Sequence, residues 1–230
     1  MSRTLAHRAI ENEQMDALDL SPAVYARVLN DLARVNVATT AARPTLAFLK
    51  RAGANQRPFR LLDVGYGDGD MLRTIWRWAL RHGVDAELVG IDLNPRSEGV
   101  AAARHPAGAN IAYRTGDYRD LGGEPWDFMI SSLVTHHMSD AERIEFLRFM
   151  ERHAARGWFV NDLHRHRFAY HGYPLLARLL MVHPIVRQDG QLSIARSFRP
   201  AEWRAMLDEA GVTARVERVF PFRLCVSRIT

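Results

Sequence analysis

Hydrophobic positions along the chain change their period. After a polar, mixed stretch over residues 1–20, Val24, Val28, Leu32 and Val35 recur at helical spacing. They follow Ser21-Pro22, a serine cap with proline in the first turn. The first twenty residues are expected to be mobile or loosely docked. A second helix is predicted from near Pro44; it carries Leu46, Phe48 and Leu49 and stops at Gly53. From residue 59 short apolar runs take over, and 59–64, 88–93, 111–114, 128–133 and 158–161 read as buried strands. The segments 71–81, 95–104 and 140–153 between them read as helices. Strands alternating with helices imply an α/β fold with a parallel sheet covered on both faces.

The end of the chain departs from this alternation. Residues 200–210 are helical and closed by Gly211, and 212–220 and 222–229 are two strands joined around Pro221. So short a link permits only antiparallel neighbours, because a parallel return needs a crossover. Residues at about 164–198 interrupt the pattern and read as a lid insertion, with a helix rich in Leu175, Leu176, Leu179, Leu180 and Met181. Core packing is the favoured reading of those four leucines. The expected division is an N-terminal helical cap over 1–55 and a larger domain over 56–230.

Composition narrows the class. The 230 residues are 47% hydrophobic and 25% charged, which suits a folded globular chain. A lone cysteine, Cys225, excludes a disulfide framework and a cysteine-rich zinc module. No run approaches the roughly 18 apolar residues of a membrane span, and Glu11, Glu13 and Asp16 stand where a signal peptide would need an apolar core. A reducing, cytoplasmic setting is expected. The net charge of +5 raises the question of nucleic acid, but the arginines are spread from Arg3 to Arg228 without a dense block, so no nucleic-acid partner is expected.

The sharpest motif is Asp63-Val64-Gly65-Tyr66-Gly67-Asp68-Gly69, glycines at a strand-to-helix turn. Such a turn lets backbone approach a ligand closely. A dinucleotide fingerprint wants a small residue where Asp70 stands, a Walker loop would need a lysine and a hydroxyl, and the negative charge of Asp63 and Asp68 would repel a pyrophosphate. An acid-flanked turn suits a cationic ligand without phosphate, and S-adenosylmethionine is one. Asp92, ending the second predicted strand, is placed to accept its ribose hydroxyls. Asp117, after the third, is placed to accept from the adenine amino group, with Leu93 covering the ring.

On these residues the chain resembles the class I S-adenosylmethionine-dependent methyltransferases. Asp63, Gly65, Gly67 and Gly69 match that family's first motif, Asp92 its ribose-binding acid and Asp117 its adenine-contacting acid. The resemblance implies a Rossmann-like, doubly wound seven-stranded sheet, mostly parallel with one antiparallel strand near the C-terminus. Leu93, Tyr118 and Ser132 complete the expected cofactor set. The stretch Val160-Asn161-Asp162-Leu163-His164-Arg165-His166, followed by Tyr170, His171 and Gly172, resembles bacterial methyltransferases of small natural products.

Ligands of such sheets bind beyond the carboxyl ends of the strands, where His136 and His137 follow the fourth strand and Asp162, His164 and His166 the fifth. By resemblance to natural-product O-methyltransferases, His136 or His137 serves as base for an acceptor hydroxyl and Asp162 orients or stabilises the imidazole. His164, His166, Tyr170 and Tyr173 are expected to meet the substrate, whose aromatic, apolar lining suits an uncharged ring compound. Asn36, Thr39 or Arg43 are expected near the methionine carboxylate. No metal is expected, because the fourth strand ends in Ser131-Ser132 where a magnesium site of this fold needs a carboxylate. The expected partner is a small-molecule acceptor, the protein a monomer or homodimer. Transfer to carbon or nitrogen, a nucleic-acid substrate, a nicotinamide oxidoreductase and a non-catalytic cofactor-binding protein stay as alternatives.

Overall fold

The structure is a computed structural model that describes residues 5–17 and 19–230. Two N-terminal helices, α1 (Pro22–Ala38) and α2 (Arg43–Arg51), precede the sheet. There follow β1 (Phe59–Val64), α3 (Asp70–Arg81), β2 (Ala86–Asp92), α4 (Pro95–Ala102), β3 (Ile111–Thr115), β4 (Trp126–Ser132), α5 (Asp140–His153) and β5 (Ala154–Leu163). The chain ends with α6 (Arg167–Leu179), α7 (Pro184–Arg196), α8 (Pro200–Ala210), β6 (Arg215–Val219) and β7 (Arg223–Ile229).

The seven strands lie in the order β3-β2-β1-β4-β5-β7-β6. Pairings among β1 to β5 are parallel, and β7 runs antiparallel to both β5 and β6. This is the doubly wound arrangement expected from the pattern of runs. Its strand order reverses between β1 and β4, which opens a crevice at their carboxyl ends. Alternation along the strands fills both faces. Leu62 and Val64 join Trp126, Trp158 and Trp203 on one side, while Leu61 joins Phe48, Phe128 and Phe159 on the other. Among the described residues, no helix is long and apolar enough to cross a membrane.

Local signals explain most boundaries. Ser21 Oγ accepts from the Val24 amide to start α1, and Ser139 and Glu142 form a reciprocal capping box on α5. The structure departs from expectation in three places. β5 begins at Ala154, not at residue 158, because α5 runs into it without a loop. Its first residues are small or polar and leave no apolar run to read. The insertion holds two helices, α6 and α7, packed on each other, where a single one was read. Leu175 and Leu179 are 66% and 78% exposed, so the core reading fails for them. Leu180 does pack, near the Val28, Val35 and Val186 cluster that joins α1 to α7.

The third difference concerns the N-terminal tract, of which residues 1–4 and 18 lie outside the described residues. The rest is docked. Ala9 donates to the Ala195 carbonyl at 3.0 Å, and the amides of Gln14 and Met15 donate to the Asp189 carboxylate at 3.0 and 2.9 Å. These are backbone and ion contacts, which hydrophobic periodicity does not register.

Asn161 ties the helical layer to the sheet: its Nδ2 donates to the Ala41 carbonyl at 2.8 Å and to Thr45 Oγ1 at 3.2 Å, with the side chain fully buried. Asn161→Ala strands both acceptors, so chemical denaturation should register a loss of about 1–3 kcal/mol.

Candidate active site

The crevice beyond β1, β2 and β4 opens into a cavity of about 990 Å³, walled on the far side by α1, α6 and α7. Its floor is the glycine turn. Gly65 has φ +77°, and a Cβ there would stand 2.3 Å from Val134 Cγ2, so only glycine lets β4 come so close. Gly67 also lines the cavity with φ +57°, and a Cβ there would meet only Leu29, at 3.9 Å. The bare backbone thus leaves room for a ligand.

Two carboxylates face this floor. Asp92, at the end of β2, accepts from the Gly67 amide at 2.9 Å and the Asn94 amide at 2.8 Å, which fixes the turn against the strand. Burial raises its pKa, against the pull of those two amides. Asp63 is 1% exposed, and neither carboxylate oxygen has a hydrogen-bond partner among the described residues. Burial, then the charge of Asp92, pushes its pKa up to about 8. An orphaned buried carboxylate in a cavity wall is costly unless a cation meets it. The residues present therefore fit the ammonium of S-adenosylmethionine at Asp63 and a diol at Asp92.

Asp68 plays another part than the sequence suggested. Its Oδ2 is 3.1 Å from Arg73 Nη2 and 2.8 Å from Arg104 Nη1, so its charge is cancelled locally. The acids left facing the turn are Asp92 and Asp63, the latter protonated near neutrality.

On the far side of β4 the chain presents a second group. His136 Nδ1 lies 2.8 Å from Asp162 Oδ1. Asp162 also accepts from the Thr135 hydroxyl and from the amides of His136 and Leu163, the last two at 3.1 and 2.7 Å. His136 Nε2 faces Glu13 Oε1 at 3.5 Å, and Glu13 is only 4% exposed. Burial disfavours the imidazolium, but Asp162 and then Glu13 overcome it and raise its pKa to about 9. Asp162 is pulled the other way: burial opposes its charge, yet His136 and Thr135 bring it to about 2. His137 lies beside this pair, its Nδ1 3.2 Å from Asp16. Glu13, His136 and His137 bring donor atoms within 4.8 Å of one another, a set that a metal ion could use.

Leu93, Tyr118, Ser132, Asn36, Thr39, Arg43 and Tyr173 all line the cavity. Tyr173 does so with its hydroxyl already donated to the Val186 carbonyl at 2.7 Å. Several expected site residues do not form its wall. Gly69 caps α3 against Tyr113. Asp117 caps the 3-10 turn Tyr118–Leu121 and pairs with Arg119 at 2.6 Å. His164 is buried, and burial, followed by Arg218 and His166, lowers its pKa to about 4. His166 caps α6 and stacks on Phe222, and the Tyr170 ring packs edge-on against His171. Sequence reasoning missed Glu13, Asp16 and Arg223 in the wall. Nothing in a polar tract or a terminal strand flags them.

Residues 61–157 match a family described as a methyltransferase domain. No curated protein matches the sequence. Among solved structures, magnesium protoporphyrin IX methyltransferase from Synechocystis, with S-adenosylhomocysteine bound, is 16% identical with a TM-score of 0.57. That match covers 94% of this chain and 91% of that one. A SAM-dependent methyltransferase from Aquifex aeolicus is 16% identical with a TM-score of 0.63, over 91% of this chain and 98% of its own. Human N-acetylserotonin methyltransferase, in complex with SAM, is 13% identical with a TM-score of 0.63, over 91% and 56%. At such identity the likeness establishes a common fold.

The two opposed shifts at His136 and Asp162 give stability a pH signature. A histidine raised from 6.5 to about 9 stabilises the fold fully below 6.5, and that contribution is lost as pH rises towards 9. An aspartate lowered from 3.8 to about 2 stabilises above 3.8 and loses this as pH falls towards 2. In denaturation series the gap between wild type and His136→Gln should narrow from pH 6.5 to 9; a constant gap would remove the ion pair.

Proposed function

We propose that this methyltransferase, whose family domain spans residues 61–157, moves the methyl group of S-adenosylmethionine to a hydroxyl of a small, ring-containing acceptor. The observation that carries this reading is one cavity with two kinds of wall. Unpaired Asp63 and amide-bound Asp92 stand at one end, and His136, held from behind the wall by Asp162, stands beyond β4. The names of two solved neighbours, for magnesium protoporphyrin IX and N-acetylserotonin, support a small acceptor.

In this reading the cofactor supplies an electrophilic methyl group on a sulfonium, and the chain supplies placement. Asp63 meets the ammonium. Asp92 keeps lone pairs for the ribose hydroxyls beyond those given to Gly67 and Asn94. Leu93, Tyr118 and Ser132 border the same space. Asp117, turned towards Arg119, would have to change partner to reach adenine. The helices of residues 1–55 and the insertion over 164–198 act as cap and lid, shielding the reacting atoms from water.

His136 takes the acceptor's proton at Nε2, while Asp162 holds Nδ1 and thereby sets the tautomer. Glu13 bears on this step. With Asp162 it keeps His136 protonated near neutrality, so the base forms only as that proton leaves. His137, with 28% of its side chain exposed, flanks the pair.

Binding, proton release and turnover test the assignment. Asp92→Ala should weaken cofactor binding by at least about tenfold without unfolding the protein. Cofactor binding near pH 7 should release a proton from Asp63, whose pKa of about 8 falls when the ammonium arrives. Calorimetry in buffers of different ionisation heat reads this release, and Asp63→Asn should abolish it. His136→Ala should lower kcat by about 10²–10⁴-fold with unchanged cofactor affinity. In wild type kcat should climb as pH rises through about 9, and Glu13→Gln should move that limb to lower pH. A labelled methyl group found only on amines would refute the hydroxyl.

A further inference from the structure

Arg223 opens β7, is 3% exposed and forms part of the same cavity wall. Its Nη1 is buried without a hydrogen-bond partner among the described residues. Asp162 is the acid whose charge bears on it, and that carboxylate gives its hydrogen bonds to His136, Thr135 and the Leu163 amide. A guanidinium does not shed its proton in a protein, and the charge of Asp162 reaches this one without a hydrogen bond, so Nη1 keeps its donors for an anion from outside.

Sheet register places Arg223 away from the cofactor floor. It pairs with Leu163 of β5, and the order β1-β4-β5-β7 sets it three strands from Asp63. At strand spacings of about 4.8 Å this is roughly 14 Å. The wall near it includes Leu163, Phe168, Pro221 and Phe222, an apolar and aromatic surface. Elsewhere the wall carries Glu13, Asp16, Asp63 and Asp92, which would oppose a phosphate dianion. One guanidinium fork matches one carboxylate.

Resting on the methyl-transfer reading of this cavity, we propose that Arg223 anchors a carboxylate of the acceptor, which is therefore a hydroxylated aromatic acid. The uncharged ring expected from the aromatic lining gives way to a ring with an acid at one end and the reacting hydroxyl towards His136.

The test uses two matched probe pairs, 4-hydroxybenzoate and 4-hydroxycinnamate against their amides. Binding is measured by calorimetry with S-adenosylhomocysteine present, so that nothing turns over. Wild type should bind at least one acid about tenfold more tightly than its amide, and in Arg223→Met the two should bind alike. The variant should keep its affinity for S-adenosylmethionine. Its unfolding midpoint should be unchanged or higher, because methionine fills similar space without a buried charge; an arginine with only a structural role would lower it. Equal binding of acid and amide to wild type, no binding of either acid, or a preference that survives in Arg223→Met overturns the proposal. So does a loss of S-adenosylmethionine affinity in the variant, which would assign Arg223 to the methionine carboxylate. Wild-type calorimetry with S-adenosylmethionine alone is the separate control. Silence there sinks the methyl-transfer reading, whereas an Arg223-dependent acid preference would stand.

Discussion

Asp63 sets the condition that organises the cavity. A carboxyl group near the end of a central strand, buried in the cavity wall and given no donor, raises the free energy of the ligand-free fold. The sheet tolerates it because both faces are heavily buried: Leu61 and Leu62, its neighbours in β1, are fully enclosed on opposite sides. The strain is placed where the strand order reverses, the one region that neighbouring strands cannot cover. A cationic ligand then gains by relieving a penalty already present in the fold.

The charge pattern around that point separates what is structural from what is available. Asp68 and Asp63 stand five residues apart in sequence terms of one turn, yet Asp68 is closed by Arg73 and Arg104 while Asp63 is left open. Asp92 is intermediate: it braces the turn through Gly67 and keeps acceptor capacity. Beyond β4, Asp162 is fully spent on His136, Thr135 and backbone amides. Counting acids in the motif cannot make these distinctions, because each depends on an arginine or amide brought in by tertiary structure.

The legibility of the chain follows the same line. The alternation of apolar runs and amphipathic segments carried the sheet, its antiparallel end and most helix boundaries, since period and capping are local properties. The direct passage of α5 into β5 was hidden, because Ala154 to Gly157, which pair with β4, form no apolar run. The resemblance to natural-product O-methyltransferases joined Asp162 to His136 or His137 without choosing between them, and the contact that singles out His136 is tertiary. Glu13 was not legible, since it reaches His136 through a docked tract whose hold on α7 is made of hydrogen bonds. Arg223 was hidden for a related reason. In a chain with 31 basic residues nothing local marks an arginine whose Nη1 burial leaves without a hydrogen-bond partner among the described residues.

These parts combine into a cavity whose two ends have opposite charge. Asp63, without a hydrogen-bond partner, and amide-bound Asp92 lie at the β1 and β2 end, and the Arg223 guanidinium, whose Nη1 has no hydrogen-bond partner among the described residues, lies at the β7 end. Each alone destabilises the protein, and two ligands of complementary charge would remove both penalties together. The histidine pair lies between them in strand order, held by Asp162 from below and Glu13 from the N-terminal tract. In the proposed reading, binding at the two ends would fix a ligand's position and leave the middle to move a proton. Separating the strong charges from the titrating group matters physically. A guanidinium placed against His136 would lower its basicity, whereas at β7 the Arg223 charge reaches it only across Asp162, which is already neutralised by the imidazolium.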